Sequence, residues 1–284
     1  MSTLWVLTDR RYLRQRMPSA LAARLTETGV ATRTIVAEDV LVGLADDALG
    51  TLGHPWAGVA DGDAVIARSR NRFALSLLAA VESRSGIDVL TPFASIAAVR
   101  DKPRALVRLA ELGLPMPPTF LAHSPPDLAL LGQRSFPMLL KPHAGDNAVG
   151  ITLVRTPAEL DDVPWSDVMV VGQQFVETDG YDLKIYVIGE RVWGVRRPSP
   201  LALATRPRAG ARAERVEVDD EQREIALACG RAFDLQLLGV DVLESVGGPL
   251  VVDVNEFPNY TGIEEAPAII ADLVRSQLDS GIRA

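Results

Sequence analysis

Pro249-Leu250-Val251-Val252-Asp253-Val254-Asn255-Glu256-Phe257-Pro258 sets two oxygen-bearing side chains, Asp253 and Asn255, into an otherwise apolar ribbon. Leu250, Val251, Val252 and Val254 favour extended backbone, and Gly247-Gly248 before them and Pro258 after them bound the run. Residues two apart on a strand share a face, so Asp253 and Asn255 point the same way. A further acid, Asp241, lies in the preceding run Leu238-Gly239-Val240-Asp241-Val242-Leu243. A hairpin through 244–248 would gather the three oxygens. Such a set, with no Cys or His, suits a hard cation such as Mg²⁺ (or Mn²⁺) and not Zn²⁺. Hairpin acids that merely face water give the same pattern, so the rest of the chain has to decide.

At 284 residues the chain has room for about two domains sharing one extensive core. A net charge of −8 argues against a nucleic-acid binder and against a protein held to anionic lipid, since both need a basic field. The single cysteine, Cys229, lies in the helical run 225–230 and reads as a small core residue with no disulfide partner. The apolar run near Met1 is too short for a signal peptide, and no stretch approaches the ~18 apolar residues of a membrane span. The expectation is a soluble cytoplasmic protein. Lysine occurs only at Lys102, Lys141 and Lys184, while arginine supplies the other 26 of 29 cations. Such a bias keeps lysine where a compact ammonium is wanted, as against phosphate.

Thr3–Thr8, Ala31–Val36 and Asp63–Ser69 read as strands alternating with helices near Pro18–Thr28 and Arg72–Arg84, which predicts a small parallel sheet. Asp101-Lys102-Pro103-Arg104 opens a helix that Gly113 closes, and Pro115–Pro118 is an extended connector. Strands follow at 136–141, 151–154 and 168–176, then a hairpin of 182–188 with 191–195. Arg196–Arg215 has no periodicity and reads as a mobile loop. Asp219 and Gln222 make a capping box for a helix through Phe233, and a last amphipathic helix covers roughly 266–278.

Four pieces carry chemistry. Lys141 ends an apolar strand and runs into a loop with Gly145 and Gly150, whose backbone N–H groups can cradle phosphate. No Lys-Ser/Thr follows Gly150, so this is not the helical phosphate loop, and an ordinary hairpin turn remains the plain alternative. Gln173-Gln174-Phe175-Val176 ends a strand before the turn 177–180, a place that can offer an edge to a flat heterocycle. Asp182, Lys184 and Tyr186 share one strand face; with Arg196 or Arg197 opposite, Lys184 would floor an anionic site. The Asp241, Asp253, Asn255 set completes the order.

In that order the pieces resemble the ATP-grasp superfamily over roughly residues 94–284. The resemblance implies an α/β and α+β protein: an N-terminal domain at 1–93, a small subdomain at 94–166 and a C-terminal subdomain at 167–284, the last two clamping ATP. It implies that Lys102 and Lys141 hold the ATP phosphates, that Gly145–Gly150 covers them, and that Gln174, Phe175 and Val176 form the adenine edge. Glu177 or Asp179 would take the ribose, and Asp241, Asp253 and Asn255 would take Mg²⁺. Most ligases of the superfamily carry Glu where Asp253 stands.

Two branches fit. One is similar to carboxylate–amine ligases, relatives of glutathione synthetase and of the enzymes that add glutamate to a ribosomal protein. They pass through an acyl phosphate. The other is similar to inositol trisphosphate kinases, for which Arg197-Pro198-Ser199 and the basic pair Arg10-Arg11 speak. Gly262-Ile263-Glu264 and the compact size favour the ligase. In either branch Lys184, Arg196 and Arg197 would hold the charge that develops in transfer, and the loop 196–215 either closes over the site or is disordered surface. Arg10, Arg11 and Gly262 are expected at an anionic substrate, with specificity in 10–16, 68–72 and that loop. The expected partners are a small carboxylate and an amine, and a homodimer is compatible with the sequence.

Overall fold

The computed structural model describes residues 2–41, 56–84, 86–143, 149–199 and 212–281. The N-terminal elements are β1 (Thr3–Thr8), α1 (Arg16–Glu27), β2 (Ala31–Val36), β3 (Ala64–Arg68), α2 (Arg72–Glu82) and β4 (Asp88–Val89). They form a parallel sheet of order β2-β1-β3-β4. The chain reverses its winding direction between β1 and β3, which opens a crevice beyond the carboxyl ends of those two strands. Asp9 closes the floor there, accepting from Ser69 Oγ and from the Arg70 backbone N–H at 3.0 Å.

Next come α3 (Phe93–Arg100), α4 (Lys102–Glu111), β5 (Thr119–Ala122), β6 (Met138–Pro142), β7 (Thr152–Val154) and β8 (Val170–Gln174). The four strands make an antiparallel sheet of order β5-β8-β6-β7. Because β8 lies inside this sheet, the small sheet ends at Gln174, eight residues beyond the expected division at 166. Helices α3 and α4 belong with the larger sheet instead, since Val99, Ala105 and Leu109 pack in its core. The connector Pro115–Pro118 joins the two: Pro115 O accepts from Val251 N–H at 2.8 Å and Pro118 O from Gln174 N–H at 2.8 Å.

The chain ends with β9 (Tyr181–Ile188), β10 (Arg191–Pro198), β11 (Glu214–Val216), α5 (Asp220–Phe233), β12 (Leu237–Ser245), β13 (Gly248–Glu256) and α6 (Ala266–Gly281). The sheet order is β11-β10-β9-β12-β13, all antiparallel. Two expectations change here. The stretch 196–215 is not a loop throughout, because β10 continues to Pro198 and β11 pairs back on it, Arg196 opposite Glu214. Its middle, 200–211, lies outside the described residues, as does Gly145. The capping box holds: Asp219 Oδ1 accepts from Gln222 N–H at 2.8 Å and Gln222 Oε1 from Asp219 N–H at 3.2 Å. Such a cap contributes about 1 kcal/mol to α5.

The larger sheet is covered differently on its two faces. Leu183, Ile185, Val187, Val240, Val242, Val251 and Val254 pack against α3, α4 and α5. On the other face Tyr186, Ile188, Leu237 and Phe257 join α6 and α1 in a core shared with the N-terminal sheet. Burial of this many branched side chains, at roughly 1.5–3 kcal/mol each, fixes the sheet between the two layers. What is left of the second face, toward β10–β13, carries charge.

Candidate active site

Two rows cross the charged face. In register, Val195, Lys184, Asp241 and Asp253 stand side by side on β10, β9, β12 and β13; next to them run Trp193, Tyr186, Gly239 and Asn255. A bulge decides this placement. Asp241 faces Asp253 but Val242 faces Val251, so Val252 is the extra residue on β13. On a regular strand Asp253, two residues on, would share the face of Val251, which is fully buried among apolar side chains. The bulge returns Val254 to that core and turns Asp253 and Asn255 to the site, a use of bulges common beside active sites.

The side chains so placed are tightly paired. Lys184 Nζ donates to Asp241 Oδ2 at 2.8 Å, Arg197 Nη2 to Asp241 Oδ1 at 2.8 Å, and Asn255 Nδ2 to Asp241 Oδ2 at 3.0 Å. Lys102 Nζ, from the first turn of α4, donates to Asp253 Oδ2 at 3.0 Å. Gly239 makes the space for Lys184: a Cβ there would stand 2.7 Å from Lys184 Cε. Asp182 lies opposite Arg197. Burial raises its carboxyl above the usual carboxylate range and the like charge of Asp241 adds to that, against a Ser199 hydrogen bond and the Arg197 guanidinium. Its Oδ1 is buried with no hydrogen-bond partner.

The small sheet contributes Lys141, which is only 8% exposed. Its ammonium donates to Gln173 Oε1 at 2.6 Å, and Gln173 Nε2 donates to Thr119 Oγ1 at 2.9 Å. Burial pushes the Lys141 pKa down to about 8; Asp253, Asp241 and Asp182 raise it and Lys102 lowers it. All three lysines therefore converge on one set of acids across the two sheets. Lys102 N–H also donates to His143 O at 3.2 Å, tying the start of α4 to the end of β6.

Other expected residues fall into place unevenly. Gln174 ends β8, and Phe175, Val176 and the exposed Glu177 form the link to β9. Gly150, with φ of +78°, follows residues 144–148, which are outside the described ones. Arg11 lines the cleft, while Arg10 pairs with Asp39 at the surface. Gly262, at φ +88°, turns the chain after β13 beside Val195. Arg196 is a correction. It stands opposite Leu183, on the face away from Lys184, and is held by Asp179 and by Glu244 at 3.4 Å. Strand alternation gives the floor Arg197 alone, and Asp179 is occupied by Arg196 at the exterior. Gln173 has a role beside the one expected of Gln174: it holds Lys141. It shares a face with Lys141, two positions along the β6–β8 ladder, a relation that depends on pairing the sequence does not print. Glu256, held by Arg100 Nη1 at 2.8 Å, lines the site without any sequence signal of its own.

A cavity of about 660 Å³ is lined by Arg70, Arg100, Lys102, His143, Asp253 and Glu256. A second, of about 380 Å³, is lined by Tyr12, Arg68, Lys184, Arg197 and Asn259. Asn255 and Glu256 border both. Two carboxylates and a carboxamide make a donor set too small for an all-protein cage. Among the described residues no group of three His, Cys, Asp or Glu surrounds one point. The donor chemistry of two carboxylates and a carboxamide suits a hard divalent cation that takes its other ligands from phosphate oxygens and water.

An N-terminal parallel sheet followed by a small and a larger antiparallel sheet facing one another across the site is the layout of an ATP-grasp enzyme. The profile of the RimK-like ATP-grasp domain matches residues 99–275, and the chain belongs to this family. The family uses ATP and a divalent metal ion, and the ligase reading stands over the kinase one. A probable alpha-L-glutamate ligase of Stutzerimonas stutzeri is 32% identical over 227 residues, 75% of this chain and 73% of the relative. One from Coxiella burnetii is 33% identical over 179 residues, and there the match spans 60% of each chain. Among solved structures, D-cycloserine synthetase DcsG superposes with a TM-score of 0.72 at 19% identity, over 98% of this chain and 100% of the other. The RimK domain protein of Sphaerobacter thermophilus gives 0.71 at 18%, over 95% and 98%. Both share the fold from end to end. Among the described residues no helix is long and apolar enough to cross a membrane.

Proposed function

We propose that the ligase activates a small carboxylate, on an amino acid or peptide, and joins it to an amine, for which the glutamate named for its relatives is the leading candidate. The observation that carries this reading is the row Lys184–Asp241–Asp253 with Lys102 and Lys141 closing on it. A carboxylate oxygen takes the γ-phosphoryl group and ADP leaves; the amine then bonds to the acyl carbon, and phosphate leaves with the amine proton passed to solvent or base.

Asp241, Asp253 and the Asn255 carboxamide oxygen would hold Mg²⁺. When bound, the ion neutralises the β and γ oxygens. Lys141 and Lys102 serve the phosphates as point charges, Lys141 at full strength because it is dry. Lys184 and Arg197 present donors to the transferred group and the acceptor carboxylate from a fixed floor. Phe175 and Val176, on the link between the sheets, supply the apolar edge for adenine.

The test is incubation with ATP, Mg²⁺, hydroxylamine and a panel of carboxylates. Acyl hydroxamate formed in step with ADP is the expected product. Phosphorylation of a polyol phosphate, with no hydroxamate from any acid, would refute the proposal. Asp253→Asn should abolish turnover and leave thermal stability within a few degrees of wild type.

A further inference from the structure

Arg68 ends β3 in the crevice between β1 and β3, and it is 7% exposed. Its guanidinium donates to Gln15 Oε1 at 2.5 Å and to Asn259 Oδ1 at 3.3 Å. Both acceptors are neutral amides. The rings of Tyr12 and Phe257 lie 5.1 and 5.8 Å from its central carbon. Three other arginines around the site have carboxylate partners: Arg11 has Asp9, Arg100 has Glu256 and Arg197 has Asp241. A buried charge hydrogen-bonded only to neutral groups costs several kcal/mol, and the faces of aromatic rings and the more distant Glu256 return only part of that. Burial also pulls the Arg68 pKa down to about 10, with Arg70 lowering it further and Tyr12, Tyr260 and Glu256 acting in the other direction. Structural support for the fold does not need a cation at this point, because an amide or methionine would span the same gap at less cost.

The second cavity explains the charge. Arg68 and Tyr12 line it together with Lys184 and Arg197, so it runs from the N-terminal crevice to the transfer floor. In open parallel sheets ligands occupy the crevice at the reversal of winding, which is where Arg68 stands. We infer that Arg68 binds a second carboxylate of the substrate, so that the ligase takes a dicarboxylic acid with one carboxylate at Lys184 and Arg197 and the other at Arg68. This rests on the ligase reading for the role of the first carboxylate, whereas the binding of the second stands on Arg68 and its cavity.

The experiment is calorimetric titration of the full chain with succinate, glutarate and adipate, each against its own monoamide, which has the same length and one charge fewer. At the best length the diacid should bind roughly tenfold to hundredfold more tightly than the monoamide, as expected for a charged hydrogen bond. Arg68→Met should erase that preference and Arg68→Lys should keep part of it, with melting curves establishing that each variant folds. Equal binding of diacid and monoamide by wild type, binding of neither, or a preference that survives in folded Arg68→Met would overturn the inference. If Arg68→Met does not fold, the wild-type and Arg68→Lys titrations decide. Hydroxamate assays separate the two readings. A protein that activates monoacids as well as diacids is still a ligase but lacks this subsite; one that prefers diacids and forms no hydroxamate has the subsite and loses the ligase reading.

Discussion

Gly239→Ala places one methyl group where the site has no room for it. The new Cβ would stand 2.7 Å from Lys184 Cε, 3.2 Å from its Nζ and 3.3 Å from Pro258 Cγ. Ordinary contact needs about 3.5 Å, so the Lys184 side chain must retreat by roughly 0.8 Å. Its Nζ is 2.8 Å from Asp241 Oδ2, and a shift of that size takes the bond to the edge of hydrogen-bonding range. With Lys184 only 5% exposed, water does not replace the lost partner. Overpacking of this kind costs about 1–3 kcal/mol, and losing the buried pair outright would cost about 3–5 kcal/mol. The expected stability loss is the smaller range, because the lysine stem can bend. A displacement near 1 Å at a reacting centre also costs on the order of 100-fold in rate. Steady-state kinetics should therefore show kcat down about 100-fold with KM for ATP little changed, since Lys102 and Lys141 are untouched. Urea unfolding gives the stability term. Gly247→Ala is the control, its nearest neighbour being Ser245 Oγ at 3.8 Å. A folded Gly239→Ala protein with wild-type kcat, or one no worse than Gly247→Ala, would refute the role given to Lys184.

Lys141 makes a pH prediction. Its pKa falls from 10.5 to about 8 on burial. Between those values the unfolded chain holds a proton that the folded chain has released, so this residue makes stability rise with pH from about 8 to 10.5. Below that window both states are protonated and the burial penalty is complete. Urea midpoints across the window should show the slope in wild type and lose it in Lys141→Met. ATP affinity should fall as pH passes 8, because a neutral amine no longer counters phosphate; constant affinity from pH 7 to 9.5 would contradict its place at the phosphates. Arg197→Ala should reduce kcat by one to two orders of magnitude, while Arg196→Ala should change it less than twofold, exposed ion pairs contributing little. The reverse ranking would mean that β10 presents its other face to the substrate.

The features read correctly from the sequence are those written into neighbouring residues. The capping box at Asp219, the β1 and β2 boundaries and the hairpin behind Asp241 and Asp253 each depend on side chains a few positions apart. So does the grouping of Asp182, Lys184 and Tyr186 on one face. The misreadings share a different cause. Choosing between Arg196 and Arg197 requires knowing which residue of β9 each one faces, and pairing Gln173 with Lys141 requires the β6–β8 register. The small sheet was cut at 166 because β8 reaches it only after an excursion through β6, β7 and the segment between, a connection with no local signature.

Asp253 reaches the charged face by a route that strand alternation alone does not provide. Period two across 249–256 assigns Val251 and Asp253 to one side, and Val252 and Val254 to the other. In the structure Val251 and Val254 share the apolar core, with exposures of 0% and 4%, and Asp253 has left it. Only an inserted residue reconciles the two, and the register places it at Val252. A β-branched residue at a bulge carries no mark in the sequence, unlike the glycine of other bulge types. The apolar side pays no penalty for the slip, because Val251 and Val254 both remain buried. The charged side gains everything from it: Asp253 reaches Lys102, and Asn255 reaches Asp241. Deleting Val252 should therefore give a regular strand in which Val251 stays opposite Val242 and Asp253 stays opposite Asp241, each on its present face. The deletion variant should fold and keep far more turnover than Asp253→Asn; a folded variant with no turnover would mean that the local twist of the bulge, and not the face alone, sets Asp253 in place.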